Sequence, residues 1–182
     1  MRPYHGKYPK LDAKSCVMPG CELMGDVELK EFASCWLNVS ARGDVNKIIV
    51  GRYSNVQDNS VLHVDDEQPC VLGDFVTIGH SAIIHASTLE DNVLVGMGAI
   101  ILSGCHIGTG SIIAAGAVVK ENSVIPPHSL VVGIPARIVR TDESMMERIH
   151  NQALKYKNLW TKEYGLLPDA DGEQYTKGSK SV

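Results

Sequence analysis

The chain has 182 residues, of which 44% are hydrophobic and 21% charged, as expected for one globular domain with a short appendage. The net charge of −4 argues against nucleic acid as a partner, because phosphate binding needs a basic surface. No apolar run approaches the roughly 20 residues of a membrane span, and we expect no signal peptide or membrane partner. Five scattered cysteines without a CxxC pair predict reduced thiols and a cytoplasmic location.

The dominant pattern is an aliphatic residue at every sixth position, here called the repeat position. The unbroken run is Leu89, Val95, Ile101, Ile107, Ile113, Val119, Ile125 and Val131. Shorter runs with the same spacing are Val17, Leu23, Leu29, Cys35 and Ala41, then Val50, Val56 and Leu62, then Leu72, Ile78 and Ile84. A short fixed period is typical of a solenoid. We predict a mainly-β fold, a parallel β-helix in which three six-residue units make one triangular coil and the repeat positions point inward.

The period changes near residue 140. Apolar residues then recur at intervals of three and four, the pattern of an amphipathic helix; they are Ile149, Ala153, Tyr156, Trp160 and Tyr164. We therefore predict a β-helix domain over residues 1–140, a helix over 141–165 packed on the solenoid, and a mobile tail over 166–182.

Two histidines occupy equivalent positions on successive coils. His63 follows Leu62 and His85 follows Ile84, and three repeat steps separate them. Stacked in this way, both imidazoles could bind one metal at about 2.0–2.1 Å. His80 has a different offset and should point away from the pair within one chain, but a trimer could bring it to the pair of a neighbouring copy. Three neutral imidazoles with an open fourth position are the ligands of a catalytic zinc.

Other readings of the histidines and their neighbours stay open. Any single histidine is more often a surface residue than a ligand. We interpret the remaining four as solvated or structural: His5, His106, His128 and His150. Arg42 and Asp58 could pair between subunits or beside the site, and Gln57 could orient a metal-bound water or substrate. Ordinary surface charge is the alternative.

Four short motifs together resemble the γ-class carbonic anhydrases and their hexapeptide-repeat relatives. They are RGD at 42–44, NVQD at 55–58, VLH at 61–63 and IGHSAIIH at 78–85. The ending IPPHSLVVGIPARIVR before the predicted helix is similar to the bacterial branch of that family, and the resemblance covers roughly residues 10–165. It implies a left-handed parallel β-helix and a homotrimer with zinc, or iron or cobalt, at each subunit interface.

The resemblance also implies a reaction and a set of roles. His63 and His85 of one chain and His80 of the next would hold the metal, whose bound hydroxide would hydrate CO2 reversibly to bicarbonate. Gln57 would contact the metal-bound solvent.

Arg42 and Asp58 would form an inter-subunit ion pair by the same resemblance, and Asp44 would support assembly. Related proteins carry the proton away through an acidic loop after the first histidine. That loop is short here, with Asp66 at a similar offset and Glu67 next to it. Tyr156 resembles a helix tyrosine that reaches the site in related bacterial proteins, although helix packing explains it equally well.

Two other functions remain open on this fold. One is a non-catalytic trimer that keeps the metal for stability or serves as an assembly subunit. The other is an acyl-CoA thioesterase or a hexapeptide acyltransferase. The three positioned histidines and the acidic balance disfavour acyl transfer, whereas a metal-bound hydroxide could still hydrolyse a thioester.

Overall fold

The repeat folds into a parallel β-helix of short strands wound around one shaft, in a computed structural model that describes residues 1–182. The first strands are β1 (Lys10–Leu11), β2 (Cys16–Val17), β3 (Glu22–Leu29), β4 (Ser34–Cys35), β5 (Ser40–Val50), β6 (Asn55–Val56), β7 (Val61–His63), β8 (Cys70–Leu72), β9 (Thr77–Ile78) and β10 (Ile83–His85). They continue as β11 (Thr88–Leu89), β12 (Leu94–Val95), β13 (Ile100–Ile101), β14 (His106–Ile107), β15 (Ile112–Ile113), β16 (Val118–Val119), β17 (Val124–Ile125), β18 (Ser129–Val132) and β19 (Arg137–Thr141).

The strands form three faces around the shaft. A sheet of eleven strands covers two faces, and a sheet of eight strands forms the third. The two faces of the larger sheet meet at β5, which pairs with β7 through Ser40–Arg42 and with β8 through Ile48–Val50. Because β5 continues past its pairing with β7, it places Arg42 and Asp44 beside the end of β7.

The shaft is filled by the repeat positions. All eight residues of the run from Leu89 to Val131 are buried, within one core cluster of 30 buried residues. Val17, at the start of the first run, is only partly buried against this cluster. Burying each aliphatic side chain contributes about 1.5–3 kcal/mol. The buried side chains at the repeat positions are therefore a main source of the stability of the coil. The predicted fold class, a mainly-β parallel β-helix with a C-terminal helix, is confirmed.

Tight packing between coils explains the small residues near the corners. A Cβ atom added to Gly96 would lie 2.4 Å from the backbone nitrogen of Ala115 on the next coil. Ala82, Ala99 and Ala117 are fully buried at the corners that follow the repeat positions. Larger side chains at these places would push neighbouring coils apart.

Helix α1 (Met145–Asn158) continues into a π-helical turn at Leu159–Glu163. It begins later than the predicted residue 141, because residues 137–141 instead form β19, which pairs antiparallel with β18 and satisfies the backbone of that edge. The helix lies against the smaller sheet, with Ile149, Ala153 and Trp160 buried. Tyr164 departs from the predicted apolar stripe and is 57% exposed. No helix combines the length and apolar character needed to cross a bilayer.

The segment 166–182 folds back over the helix and the aromatic corner of the solenoid. The ammonium of Lys157 is buried and donates to the carbonyl oxygens of Asp171 and, at 2.8 Å, Glu173. The backbone N–H of Glu173 donates to the hydroxyl of Tyr53 at 3.0 Å. These contacts show where the tail lies, while its predicted mobility stays a prediction.

Candidate metal and catalytic site

His63 and His85 lie side by side on adjacent coils. They end β7 and β10, which pair in parallel with His85 directly opposite His63. Nδ1 of His63 lies 2.9 Å from Nε2 of His85, and the ring centroids are 4.9 Å apart. The register counted from the repeat positions is the one observed. Two ring nitrogens at this distance share either a proton or a cation.

The other nitrogen of His63 is buried near a carboxylate. Nε2 is buried without a hydrogen-bond partner, and the nearest carboxylate oxygen, Oδ1 of Asp44, is 3.5 Å away. Burial, helped by the positive charge of Arg42, lowers the pKa of His63. The imidazole is therefore kept neutral, which is the form that binds metal ions.

Asp44 is held in place from the same strand. Its carboxylate accepts hydrogen bonds from the Arg42 guanidinium and from the backbone N–H of Val45. Burial pushes the pKa of Asp44 upward, but these hydrogen bonds outweigh it and the pKa lies below its ordinary value. Within one chain Arg42 pairs with Asp44, and the structure does not bring it to Asp58.

His85 has a partner that sequence reasoning missed. Its Nδ1 lies 2.8 Å from the hydroxyl of Ser103, which belongs to the corner one coil further along. Three repeat steps from Ile84 lead to Ile101, which pairs with Ile84, so Ser103 lies one residue past the position in register with His85. The period alone therefore does not identify this serine.

His80 stands at a different corner, in the turn after β9. Its Nδ1 lies 2.6 Å from Oδ2 of Asp58, while Oδ1 of Asp58 accepts a hydrogen bond from the backbone N–H of Leu37 at 3.1 Å. The His80 side chain is 43% exposed. Within one chain, no three His, Cys, Asp or Glu side chains converge on a point that could hold a metal.

A cavity of about 380 Å³ connects His80 with two other predicted residues. Gln57 and Tyr156 line it together with His80, and the rest of the wall is mostly apolar, formed by the smaller sheet and the helix. Gln57 is buried and donates to the side-chain oxygen of Asn55 at 3.1 Å. Its amide is therefore fixed in orientation at the edge of the cavity.

Tyr156 contributes both to packing and to the cavity. Its ring meets that of Trp36 edge-on, with the centroids 5.2 Å apart. Burial, and then the negative charge of Asp58, raise the pKa of Tyr156, so the hydroxyl keeps its proton at neutral pH. It can donate a hydrogen bond into the cavity.

In the acidic loop after β7, the carboxylate of Asp65 is held by hydrogen bonds, whereas the next two carboxylates are exposed to solvent. Oδ1 of Asp65 accepts hydrogen bonds from the backbone N–H groups of Gln68 at 2.7 Å and Glu67 at 3.1 Å. Burial opposes ionisation of Asp65, but these bonds and the Ser103 hydroxyl lower its pKa. Asp66 and Glu67 are exposed, and their carboxylates make no hydrogen bond or ion pair.

Comparisons with known proteins agree with this architecture. The family described as bacterial transferase hexapeptide (six repeats) matches residues 86–121. A solved structure of a hexapeptide transferase family protein from Anaplasma phagocytophilum superposes with a TM-score of 0.84 at 36% identity, covering 91% of this chain and 97% of that one. The fold therefore defines the chain as a hexapeptide-repeat β-helix protein.

Curated relatives narrow the class further. The "Probable carbonic anhydrase" of Methanocaldococcus jannaschii is 51% identical over 79% of this chain and 91% of its own length. The "Carbonic anhydrase" of Geobacillus kaustophilus is 44% identical over 82% of this chain and 85% of its own length. The chain belongs to the γ-class carbonic anhydrase-like family of hexapeptide-repeat proteins.

Proposed function

We propose that this protein catalyses the reversible hydration of CO2 to bicarbonate with a divalent cation held between neighbouring copies of a homotrimer. The observation that carries the proposal is the pair of imidazoles on β7 and β10, with ring nitrogens 2.9 Å apart. The similarity to the two relatives named as carbonic anhydrases supports the reaction.

The residues fit a divalent cation. Two nitrogen ligands of a tetrahedral zinc, each about 2.0–2.1 Å from the metal, lie roughly 3.3 Å apart, so a small opening of the pair would admit the ion. With Nδ1 of His63 turned toward the cation, the buried Nε2 would carry the ring proton, 3.5 Å from Oδ1 of Asp44. Imidazole nitrogens are suitable ligands for Zn2+ and also for Fe2+ or Co2+. When bound, the cation would supply an activated water at neutral pH.

The third ligand, in this proposal, is His80 of a neighbouring copy. His63 and His85 already share a face, while His80 projects from a corner with a side chain that is 43% exposed. Asp58 holds the ring by its Nδ1 and leaves Nε2 available. A neighbouring solenoid placed against this corner would add the missing imidazole to the pair.

Charged residues on β5 and at the corner that carries His80 would form ion pairs between neighbouring subunits. The side chain of Arg42 is 51% exposed, so its guanidinium can bind Asp44 within the chain and still reach Asp58 of another copy. Asp44 fixes the direction in which Arg42 projects. These roles support assembly rather than chemistry.

The cavity residues would handle substrate and protons. The fixed amide of Gln57 would orient the attacking water, and the protonated hydroxyl of Tyr156 would donate to bicarbonate. The exposed carboxylate of Asp66, with Glu67 beside it, would pass protons to buffer from the open side of the loop. The five free cysteines are consistent with a cytoplasmic location, which is part of the proposal.

The test is stopped-flow CO2 hydration on freshly purified, anaerobic protein, with metal content measured on the same sample. We expect activity that disappears with a chelator and returns with Zn2+, Co2+ or Fe2+. A fully metallated trimer without activity would contradict the proposal and favour a non-catalytic assembly subunit. Hydrolysis of an acyl-CoA by that same sample would instead favour a thioesterase.

A further inference from the structure

The hydroxyl of Ser103 has a geometric relation to the candidate metal ligands that the family comparison does not assign. It lies 2.8 Å from Nδ1 of His85, on the side of the ring opposite to His63. The serine itself is rigidly placed, because its backbone oxygen accepts a hydrogen bond from Asn122 at 2.9 Å and the next residue, Gly104, donates to Ala86 at 2.8 Å.

An imidazole can bind a cation through one nitrogen only when the proton is on the other. That proton needs an acceptor if the ring is to stay in one tautomer and one orientation. The Ser103 hydroxyl can accept from Nδ1–H of His85, and its own hydrogen can then be directed to another acceptor. Asp65, on the loop after β7, is the carboxylate near this hydroxyl.

We propose that Ser103 is a positioning residue that keeps the proton of His85 on Nδ1 and so directs the lone pair of Nε2 toward the cation shared with His63. This inference rests on the proposed function and adds a determinant of metal affinity to it. His80 has an equivalent partner in Asp58, 2.6 Å from its Nδ1. In two of the three proposed ligands, His85 and His80, a side-chain oxygen therefore contacts Nδ1 and orients the ring.

The relation follows from the coil geometry. One coil carries His63, the next carries His85, and the third carries Ser103 at the following corner. Parallel pairing sets His85 opposite His63 and Ile101 opposite Ile84, and Ser103, two residues past Ile101, reaches the outer nitrogen of His85 from the corner. A hydroxyl on that third coil reaches the outer ring nitrogen, whereas a methyl group would leave Nδ1 without an acceptor.

Three variants separate orientation from general stability. Ser103→Ala removes the acceptor and Ser103→Thr retains a hydroxyl. Ser123→Ala removes a corner hydroxyl that donates to the carbonyl of Lys120 at 2.6 Å and makes no hydrogen bond to His63 or His85. Nitrogen-15 NMR of the imidazoles in metal-stripped, full-length protein reports the tautomer of His85. Competition with a chromogenic chelator gives the affinity for Zn2+.

We expect the wild-type protein to carry the His85 proton on Nδ1. Ser103→Ala should lose this preference and bind Zn2+ roughly 10- to 100-fold more weakly, the usual effect of losing an outer hydrogen-bond partner of a ligand. Ser103→Thr should restore both properties, and Ser123→Ala should match the wild type.

Two results would overturn the role of Ser103: a wild-type His85 protonated on Nε2, or a Ser103→Ala variant that binds Zn2+ as tightly as the wild type. The wild-type tautomer decides the matter even if Ser103→Ala fails to fold. A wild-type protein that binds no Zn2+, Co2+ or Fe2+ would overturn the proposed function itself, which is a separate outcome.

Discussion

Asp58 holds His80 by a contact of 2.6 Å between Oδ2 and Nδ1, and this pair lies at a corner of the solenoid away from His63 and His85. The same carboxylate is fixed by the backbone N–H of Leu37 at 3.1 Å. The ring of His80 is thus oriented before any neighbouring copy arrives. Since a preset ligand loses less conformational entropy on binding, the corner is suited to complete a site made between chains.

Replacing His80 by alanine tests whether this corner contributes a ligand. We expect His80→Ala to lower bound zinc and CO2 hydration by more than about 100-fold, because a metal ligand is lost, and to leave the thermal unfolding of the solenoid nearly unchanged. Metal analysis and stopped-flow kinetics on the same samples measure both effects. His106→Ala is the matched control, since His106 is similarly exposed and pairs with Glu90 at 2.7 Å. Wild-type zinc content in His80→Ala would contradict the interface model.

Replacing Arg42 by alanine tests its proposed role in assembly. The loss of its contact across the subunit boundary should shift the mass measured by light scattering from trimer toward monomer. Arg52→Ala is the control, because Arg52 has a similar exposure of 52% and pairs with Glu31 of its own chain at 2.7 Å. A trimer that persists in Arg42→Ala at low protein concentration would remove Arg42 from the interface.

Replacing Tyr156 by phenylalanine separates catalysis from packing. The ring contact with Trp36 is retained, and only the hydroxyl that faces the cavity is lost. If the hydroxyl donates to bicarbonate, kcat/KM should fall up to about tenfold, the effect of one hydrogen bond, with zinc content unchanged. Tyr164→Phe, on the exposed end of the helix, should have wild-type kinetics. Unchanged kinetics in Tyr156→Phe would assign the residue to packing alone.

Replacing Lys157 by methionine tests the docking of segment 166–182. The buried ammonium donates to two carbonyl oxygens and lies 4.4 Å from the centroid of the Phe32 ring. Its loss leaves those carbonyl groups without their donor, and we expect the free energy of unfolding to fall by about 1–3 kcal/mol. Limited proteolysis should then cleave the tail faster. Lys155→Met, on the exposed side of the same helix, should cleave at the wild-type rate; equal rates for both variants would contradict this docking role.

The same docking should weaken in acid. The hydrogen bond from Lys14 lowers the pKa of the exposed carboxyl of Asp171. A carboxyl whose folded pKa is depressed contributes stability that is fully present above its unfolded value, about pH 4, and is lost as the pH falls through the folded pKa. The protection of the amides of residues 170–175 against hydrogen exchange, corrected for the intrinsic exchange rate, should therefore decrease as the pH falls below about 4. Lys14→Gln should show fast exchange already at neutral pH; a flat profile in the wild type would exclude this contribution.

The sequence alone determined the shaft and the pairing of the two histidines. A strict period places the repeat positions inside the solenoid, and three repeat steps correspond to one coil. Counting these steps from Leu62 to Ile84 was therefore enough to predict that His63 pairs with His85. The boundary near residue 140 was also visible, because the change from a six-residue to a helical period is a change in which face of the chain is apolar.

Only the tertiary structure decided which polar side chains meet. The pairing of Asp58 with His80, the contact of Ser103 with His85 and the burial of Lys157 under the tail depend on rotamers and on corners that carry no period. The tail is polar in sequence, and part of its anchoring uses backbone groups of Glu173 that no side-chain pattern reveals. Apolar burial scales with area and repeats along the chain, whereas a hydrogen bond requires two particular atoms within about 3 Å, and that condition is set by the completed fold.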